Sequence, residues 1–144
     1  LNTGNSIDIR LKSNNSELFV ETDQHKLHKI LSNLIENALK FTEKGYVEFG
    51  VCDSEKGRVC FYIKDSGIGI SPENMEKIFH RFSQEHDDIS AKYGGLGLGL
   101  CIAKENTTLL GGIIRVESTK NIGTTFYVDI PAKVEQIDHK NSEL

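Results

Sequence analysis

The chain has 144 residues, about the length of one ordinary domain, and its 38% hydrophobic and 26% charged residues are the proportions of a globular protein. Seventeen basic against 21 acidic residues leave a net charge of −4, which argues against any partner held mainly through its own negative charge, so no nucleic acid and no anionic lipid surface is expected as a ligand. No apolar run approaches the roughly 18 residues that cross a bilayer; Cys52, Cys60 and Cys101 form no C-x-x-C pair and the five histidines are scattered, so neither a disulfide framework nor a zinc site is expected, and a reducing compartment fits best.

Residues 1–6 carry no basic and apolar leader and read as a linker remnant rather than a signal peptide. Ile7 to Leu11 alternates apolar and polar residues, and Glu17 to Val20 is a second strand candidate across the polar turn 12–16, so the two are expected to pair as a hairpin. From 23 to 41, Leu27, Ile30, Leu31, Leu34, Ile35, Ala38 and Phe41 recur at steps of three and four, which predicts an amphipathic helix capped by Thr22 or Asp23. Tyr46 to Cys52 and Arg58 to Lys64 predict a second hairpin. Ser71-Pro72-Glu73 is a helix start, with a capping hydroxyl, proline in the first turn and an acid at the positive end of the helix dipole; that helix is expected to run to about Phe79. The stretch 83–99 is charged and glycine-rich with little periodicity and reads as a long functional loop. A helix from about Leu98 to Leu110, stopped by Gly111-Gly112, and strands over 113–118 and 124–130 complete a unit spanning 7–131, with 132–144 expected as a polar tail. The order ββ-α-ββ-α-loop-α-ββ predicts an antiparallel-rich sheet with helices packed on one face.

Three features carry chemistry. On the long helix, a turn of about 100° per residue gathers Asn33, Glu36, Asn37 and Lys40 into one polar stripe beside the apolar face. Asparagine is a mediocre helix former, so two of them one turn apart in mid-helix need a reason. A carboxamide oxygen is a neutral hard ligand suited to Mg²⁺ or to water on it, and the lysine one turn on can reach a phosphate. In Asp65-Ser66-Gly67-Ile68-Gly69-Ile70, two glycines allow positive φ and close approach to a flat ligand, and an acid at a strand end can accept hydrogen bonds from an amino group. Gly94 to Leu100 leads into a helix N-terminus, where successive N–H groups and the positive dipole end suit a polyphosphate. Six of the 13 glycines lie between Gly67 and Gly99, a concentration that favours a built site over a flexible linker. The sequence contains no GxxxxGK[ST], GxGxxG, GxSxG or HExxH, which excludes the P-loop, the Rossmann fingerprint, the hydrolase elbow and the zinc-protease helix.

Taken in this order, the segments resemble the catalytic and ATP-binding domain of two-component sensor histidine kinases, in the GHKL ATPase superfamily shared with type II topoisomerases and mismatch-repair MutL proteins. Asn33 to Thr42 is similar to the N box, Asp65 to Ile70 to the G1 box, Ile78 to Gln84 to the F box, Gly95 to Leu100 to the G2 box and Gly123 to Phe126 to the G3 box. The resemblance covers about Ile7 to Pro131. It implies an α/β (α+β) two-layer sandwich, the Bergerat fold, in which a mixed and mostly antiparallel sheet carries helices on one face. It implies that Asn37 holds Mg²⁺, Asn33 lines the triphosphate site and Lys40 contacts phosphate. Asp65 would bond the adenine amino group of ATP, with Gly67, Gly69 and Ile70 shaping the pocket and Thr124 assisting through water. Gly95, Gly97, Gly99 and Leu100 would form the phosphate cradle under a lid containing Lys92 and Tyr93, anchored by Phe79 and Phe82.

Hydrolysing members of the superfamily carry a glutamate four residues before the Mg²⁺ asparagine; here Asn33 stands there, and an amide cannot act as a general base. The resemblance therefore implies transfer of the γ-phosphate of Mg–ATP to another nucleophile rather than hydrolysis. Asn37, Lys40 and Glu36, the last as orienter of water or acceptor, are the catalytic candidates. The nucleophile would be a histidine on a separate dimerisation domain of the same parent protein, since no histidine here stands in the family's phosphoacceptor pattern, and a response regulator would follow downstream. A cytoplasmic location without direct membrane contact is implied, an inner-membrane sensor being one form of parent. The alternatives are a nucleotide-sensing interaction module without phosphotransfer and an ATPase clamp. Leu96 replaces the usual Ser or Thr of the G2 box and is expected to alter phosphate contacts. Asn121 stands where a G3 glycine is usual and can adopt the left-handed conformation. Asn106-Thr107-Thr108 is expected to leave the third helix short or poorly packed. The wording of 83–95 is similar to that of hybrid sensor kinases and points to a larger parent protein.

Overall fold

Residues 7–12, 16–79 and 96–138 are described by the computed structural model. Within them the chain runs β1 (Ile7–Leu11), β2 (Ser16–Glu21), α1 (Gln24–Lys40), β3 (Gly45–Cys52), β4 (Arg58–Asp65), α2 (Pro72–Met75), α3 (Leu96–Leu109), β5 (Ile113–Thr119), β6 (Gly123–Pro131) and β7 (Lys133–Asp138). Five strands form one sheet in the order β1-β3-β4-β6-β5, with β1 parallel to β3 and the other neighbours antiparallel. β2 and β7 form a separate antiparallel pair. Among the described residues no helix is long and apolar enough to cross a membrane.

The period of two puts Val59, Phe61 and Ile63 of β4 and Phe126, Val128 and Ile130 of β6 on one face, where all six are buried. They share a core with Ile30, Leu34 and Ala38 of α1 and Leu100 and Ala103 of α3, so the helices cover that face as the element order predicts. The opposite face is polar: Arg58 Nε pairs with Asp129 Oδ1 at 2.6 Å, and the Tyr62 hydroxyl donates to Glu48 at 2.6 Å. α1 begins where Asp23 accepts from the Lys26 backbone N–H at 3.1 Å. Its side-chain bond to the Lys26 ammonium holds the Asp23 carboxyl below the usual carboxylate range.

Several expectations need correction. β1 and β2 form no hairpin; β1 lies beside β3 and β2 beside β7, because alternation reports which face a strand buries and carries no information about its partner. The segment expected as a tail from 132 supplies β7 through Asp138; a ladder made by backbone groups accepts a polar sequence. α2 stops at Met75, and turn structure over residues 76–79 follows it, with the Lys77 N–H bonded to the Asn74 C=O. Cys52 and Cys60 are joined in a disulfide across the β3–β4 register, their Cα atoms 5.3 Å apart, a proximity that spacing along the chain does not reveal. Cys101 is buried and takes no part in a disulfide. α3 is neither short nor loosely packed at Asn106 and Thr107: their side chains bond the carbonyls of Ile102 at 2.9 Å and Ala103 at 2.7 Å, one turn back. Asn121 adopts φ +70° as expected.

Candidate functional site

The polar stripe of α1 is split by the packing. Asn37 is buried, with 6% exposed, Asn33 is half-buried, and Glu36 and Lys40 face outward. α3 passes over the two amides at Gly99, where an added Cβ would stand 3.7 Å from Asn37 Nδ2 and 3.8 Å from Asn33 Oδ1. The two carboxamides thus lie directly against the backbone of the first turn of α3. Asn37 Nδ2 is buried with no hydrogen-bond partner, and an unsatisfied buried donor costs about 1–3 kcal/mol, so this point suits a ligand that brings acceptors. Mg²⁺ takes few protein ligands and keeps phosphate oxygens and waters. The orphaned Asn37 nitrogen is a donor and suits a phosphate oxygen, whereas a metal would be held through the carboxamide oxygen; with no cluster of three His, Cys, Asp or Glu among the described residues, one such oxygen fits that mode of binding rather than an all-protein cage.

Asp65 ends β4 with 7% of its surface exposed. Burial pushes its carboxyl up to about 6, against the pull of backbone N–H bonds from Gly67 and Thr124; the Gly67 N–H donates to Oδ1 at 2.8 Å. The turn after it depends on both glycines. A Cβ on Gly67 would strike the Phe41 carbonyl and Thr42 Oγ1, and Gly69, at φ +71°, lies against the Thr119 carbonyl. The close approach is thus to the ends of α1 and β5, with a positive φ at Gly69 alone of the pair.

Asn37, Ala38, Phe41, Asp65, Ile68, Gly69, Ile70, Thr124 and Phe126 line a cleft that opens to solvent. Apolar walls with a buried carboxylate at one end suit a flat heteroaromatic ring bearing an amino group. Thr124 Oγ1 lies 2.7 Å from Ser118 Oγ, which accepts from the Ile70 N–H at 2.8 Å. Behind the cleft Phe79 meets Phe126 edge to face, ring centres 6.2 Å apart, while Cys101 Sγ donates to the Phe79 carbonyl at 2.9 Å.

The structure therefore brings together Asn33, Asn37 and Gly99, and separately Asp65, Gly69, Ile70 and Thr124, with Asn37 lining the same cleft as the second group. Gly67 supports the turn from behind. Gly97 lies in the first turn of α3. Leu100 is fully buried in the core and does not line the cleft; the rotation of about 100° per residue turns it away from the side that Gly99 presents to the two asparagines. Phe82, Lys92, Tyr93 and Gly95 lie outside the described residues. Sequence reasoning missed Ser118 and the unpartnered, 1% exposed Thr42 hydroxyl. The alternation of β5 and β6 was the available signal for Ser118, because its register sets it opposite Thr124.

Comparison with known proteins gives a consistent set of matches. A model of the histidine kinase-, DNA gyrase B- and HSP90-like ATPases matches residues 22–134. Histidine protein kinase 1 of Candida albicans is 46% identical over 117 residues, covering 78% of this chain and 5% of that protein. Sensor histidine kinase WalK of Bacillus subtilis is 42% identical over 124 residues, covering 85% of this chain and 20% of that protein. The chain thus spans a fifth or less of the length of these relatives. Full-length ShkA, solved in complex with AMPPNP, superposes with a TM-score of 0.73 at 30% identity, over 92% of this chain and 26% of that one. The nucleotide-free catalytic domain of the histidine kinase ThkA does so with a TM-score of 0.72 at 32% identity, over 88% of this chain and 81% of that one.

Proposed function

We propose, on the premise that this chain belongs to the histidine kinase-, DNA gyrase B- and HSP90-like ATPase family, that it binds Mg–ATP and passes the γ-phosphate to a histidine on a separate helical domain of a sensor kinase. The observation that carries this reading is the pairing of a buried carboxylate in an apolar cleft with an unpartnered buried amide beneath the first turn of α3. The binding of AMPPNP by ShkA supports it.

In this reading Asp65 accepts from the adenine amino group, and Ala38, Phe41, Ile68, Ile70 and Phe126 hold the ring between apolar walls. Asn33, Asn37 and the α3 N-terminal turn, with Gly97 and Gly99, receive the triphosphate, and Lys40 adds a positive charge from α1. Gly95 joins Gly97 and Gly99 in the phosphate cradle, Lys92 and Tyr93 belong to the lid, and Phe79 and Phe82 anchor it. Asn37 would hold Mg²⁺, which supplies charge neutralisation across the phosphates when bound. The chain's own contribution is position and preorganised charge. Glu36, exposed beside Asn37, orients the incoming acceptor. The imidazole nitrogen of that acceptor forms a bond to the γ-phosphorus as the bond to the β–γ bridging oxygen breaks, leaving ADP. With an amide at position 33, the place where the hydrolysing members carry their glutamate offers water no general base, which favours transfer over hydrolysis.

The test is calorimetric titration of a non-hydrolysable ATP analogue with and without Mg²⁺, followed by incubation with ATP and the parent's histidine-bearing helical domain. Binding strengthened by Mg²⁺ and lost in Asp65→Ala, then acid-labile phosphohistidine on the added domain, is expected. Binding without phosphohistidine would favour a nucleotide-sensing module, and sustained phosphate release by the chain alone would favour an ATPase clamp. In the family setting a response regulator takes the phosphate next and the catalytic part faces the cytoplasm.

A further inference from the structure

One hydroxyl, on Ser118, bonds to both of the segments that meet beside the cleft, at Ile70 and at Gly123–Thr124. Ser118 is half-buried near the end of β5, opposite Thr124 in the ladder. Its Oγ accepts from the Ile70 N–H at 2.8 Å, donates to the Gly123 carbonyl at 3.0 Å and lies 2.7 Å from Thr124 Oγ1. A hydroxyl has one proton and two lone pairs. Ile70 uses one lone pair. The Gly123 carbonyl can only accept, so it takes the proton. The Thr124 hydroxyl is left to donate its own proton into the second lone pair of Ser118, and every member of the set is then satisfied.

The consequence falls on the cleft. With its proton turned back to Ser118, Thr124 Oγ1 offers only lone pairs forward, and it does so beside Asp65, whose carboxylate also only accepts; Asp65 and Thr124 are opposite residues of β4 and β6 and both line the cleft. A ring that docks there must present donors. The exocyclic amino group of adenine presents two N–H bonds, whereas a 6-oxopurine presents a carbonyl oxygen at the same position, lone pairs against lone pairs. We infer that Ser118 is a positioning residue that sets the base preference of this cleft, by holding the Thr124 hydroxyl in the direction that admits a 6-aminopurine and rejects a 6-oxopurine. This inference rests on the nucleotide reading above and adds to it a residue outside the five boxes.

The experiment compares the affinities of non-hydrolysable ATP and GTP analogues, and of inosine triphosphate, for the wild-type chain, Ser118→Ala and Ser118→Thr, with melting temperatures measured alongside. In Ser118→Ala the Thr124 proton is free to turn toward a 6-oxo group. ATP-analogue affinity is expected to fall about tenfold, and its preference over the two 6-oxopurines to narrow by at least as much. Ser118→Thr keeps the hydroxyl and is expected to restore the preference. General loosening of the fold would weaken all three nucleotides together and leave the ratio unmoved. An unchanged ratio in Ser118→Ala, beside a wild type that prefers the adenine analogue, overturns this inference alone. A wild type that binds no adenine analogue overturns the nucleotide reading itself. If Ser118→Ala does not fold, Thr124→Val removes the same lone pairs from the cleft, and an unchanged ratio in that variant overturns the inference equally.

Discussion

At the scale of single residues, the cleft holds groups that the fold would be more stable without. Asp65 is buried and its carboxyl is raised from 3.8 to about 6. The folded chain therefore binds that proton more tightly than the unfolded chain, so the contribution of Asp65 to stability is fully present below about pH 4 and is lost as pH rises through about 6. Asp65→Asn is expected to stabilise the chain at pH 7 by on the order of 3 kcal/mol and to flatten the pH dependence between 4 and 7, read by urea denaturation at each pH. Nucleotide affinity should move the opposite way, falling tenfold or more in Asp65→Asn, and in the wild type weakening as pH drops below 6 and the carboxylate is protonated. Stability and function pull apart at such a site because binding needs polar groups whose partners arrive with the ligand. Asn37 makes the same point. Asn37→Ala removes a buried amide nitrogen that has no partner, so its stability should stay within about 1 kcal/mol of wild type. The strengthening of ATP-analogue binding by Mg²⁺ should disappear, as calorimetry with and without the metal would show.

At the scale of elements, the helices divide their work by face. α1 buries Ile30, Leu34 and Ala38 and turns Asn37 toward the cleft, so its apolar stripe carries stability and its amide carries the site. Leu34→Ala, at a fully buried position, is expected to cost about 2–5 kcal/mol. Thr107→Val, equally buried in α3, should change stability by no more than about 1 kcal/mol, because its hydroxyl returns to the Ala103 carbonyl of its own helix and its loss strands no donor. Paired urea curves would separate the two. The start of α1 adds a charge effect: Asp23→Ala should lower the melting temperature at pH 7, and the difference should vanish as acid protonates the Asp23 carboxylate in the wild type.

For the whole molecule, two pairings join distant parts of the chain. β1 lies parallel to β3, and β2 is held by β7, whose sequence reads as a polar tail. A chain ending after Ala132 would lose β7 and leave the backbone groups of β2 without their ladder, while Leu18 and Val20, packed against the core, would lose their support. Its denaturation midpoint should fall clearly below that of the full chain; an unchanged midpoint would mean that 133–138 adds nothing to the fold. The full chain is therefore the form in which to test nucleotide binding.

Much of this protein is legible in its sequence. The 3.6-residue period of α1, the two-residue alternation of β3 to β6 and the asparagines and glycines at unusual places follow from local rules, since each depends on residues a few positions apart. Those rules place Asn37 beside an apolar face, Asp65 at a strand end and Gly99 at a helix start. Tertiary structure alone decided that these three converge on one side of the sheet, that β1 pairs with β3 and β2 with β7, that Cys52 meets Cys60, and that Leu100 turns into the core. It also placed Ser118 between Ile70, Gly123 and Thr124. The physical reason is common to all of these: strand partners and side-chain contacts across a fold are chosen by the burial of shared surface among segments far apart in the chain, and no local period records that choice.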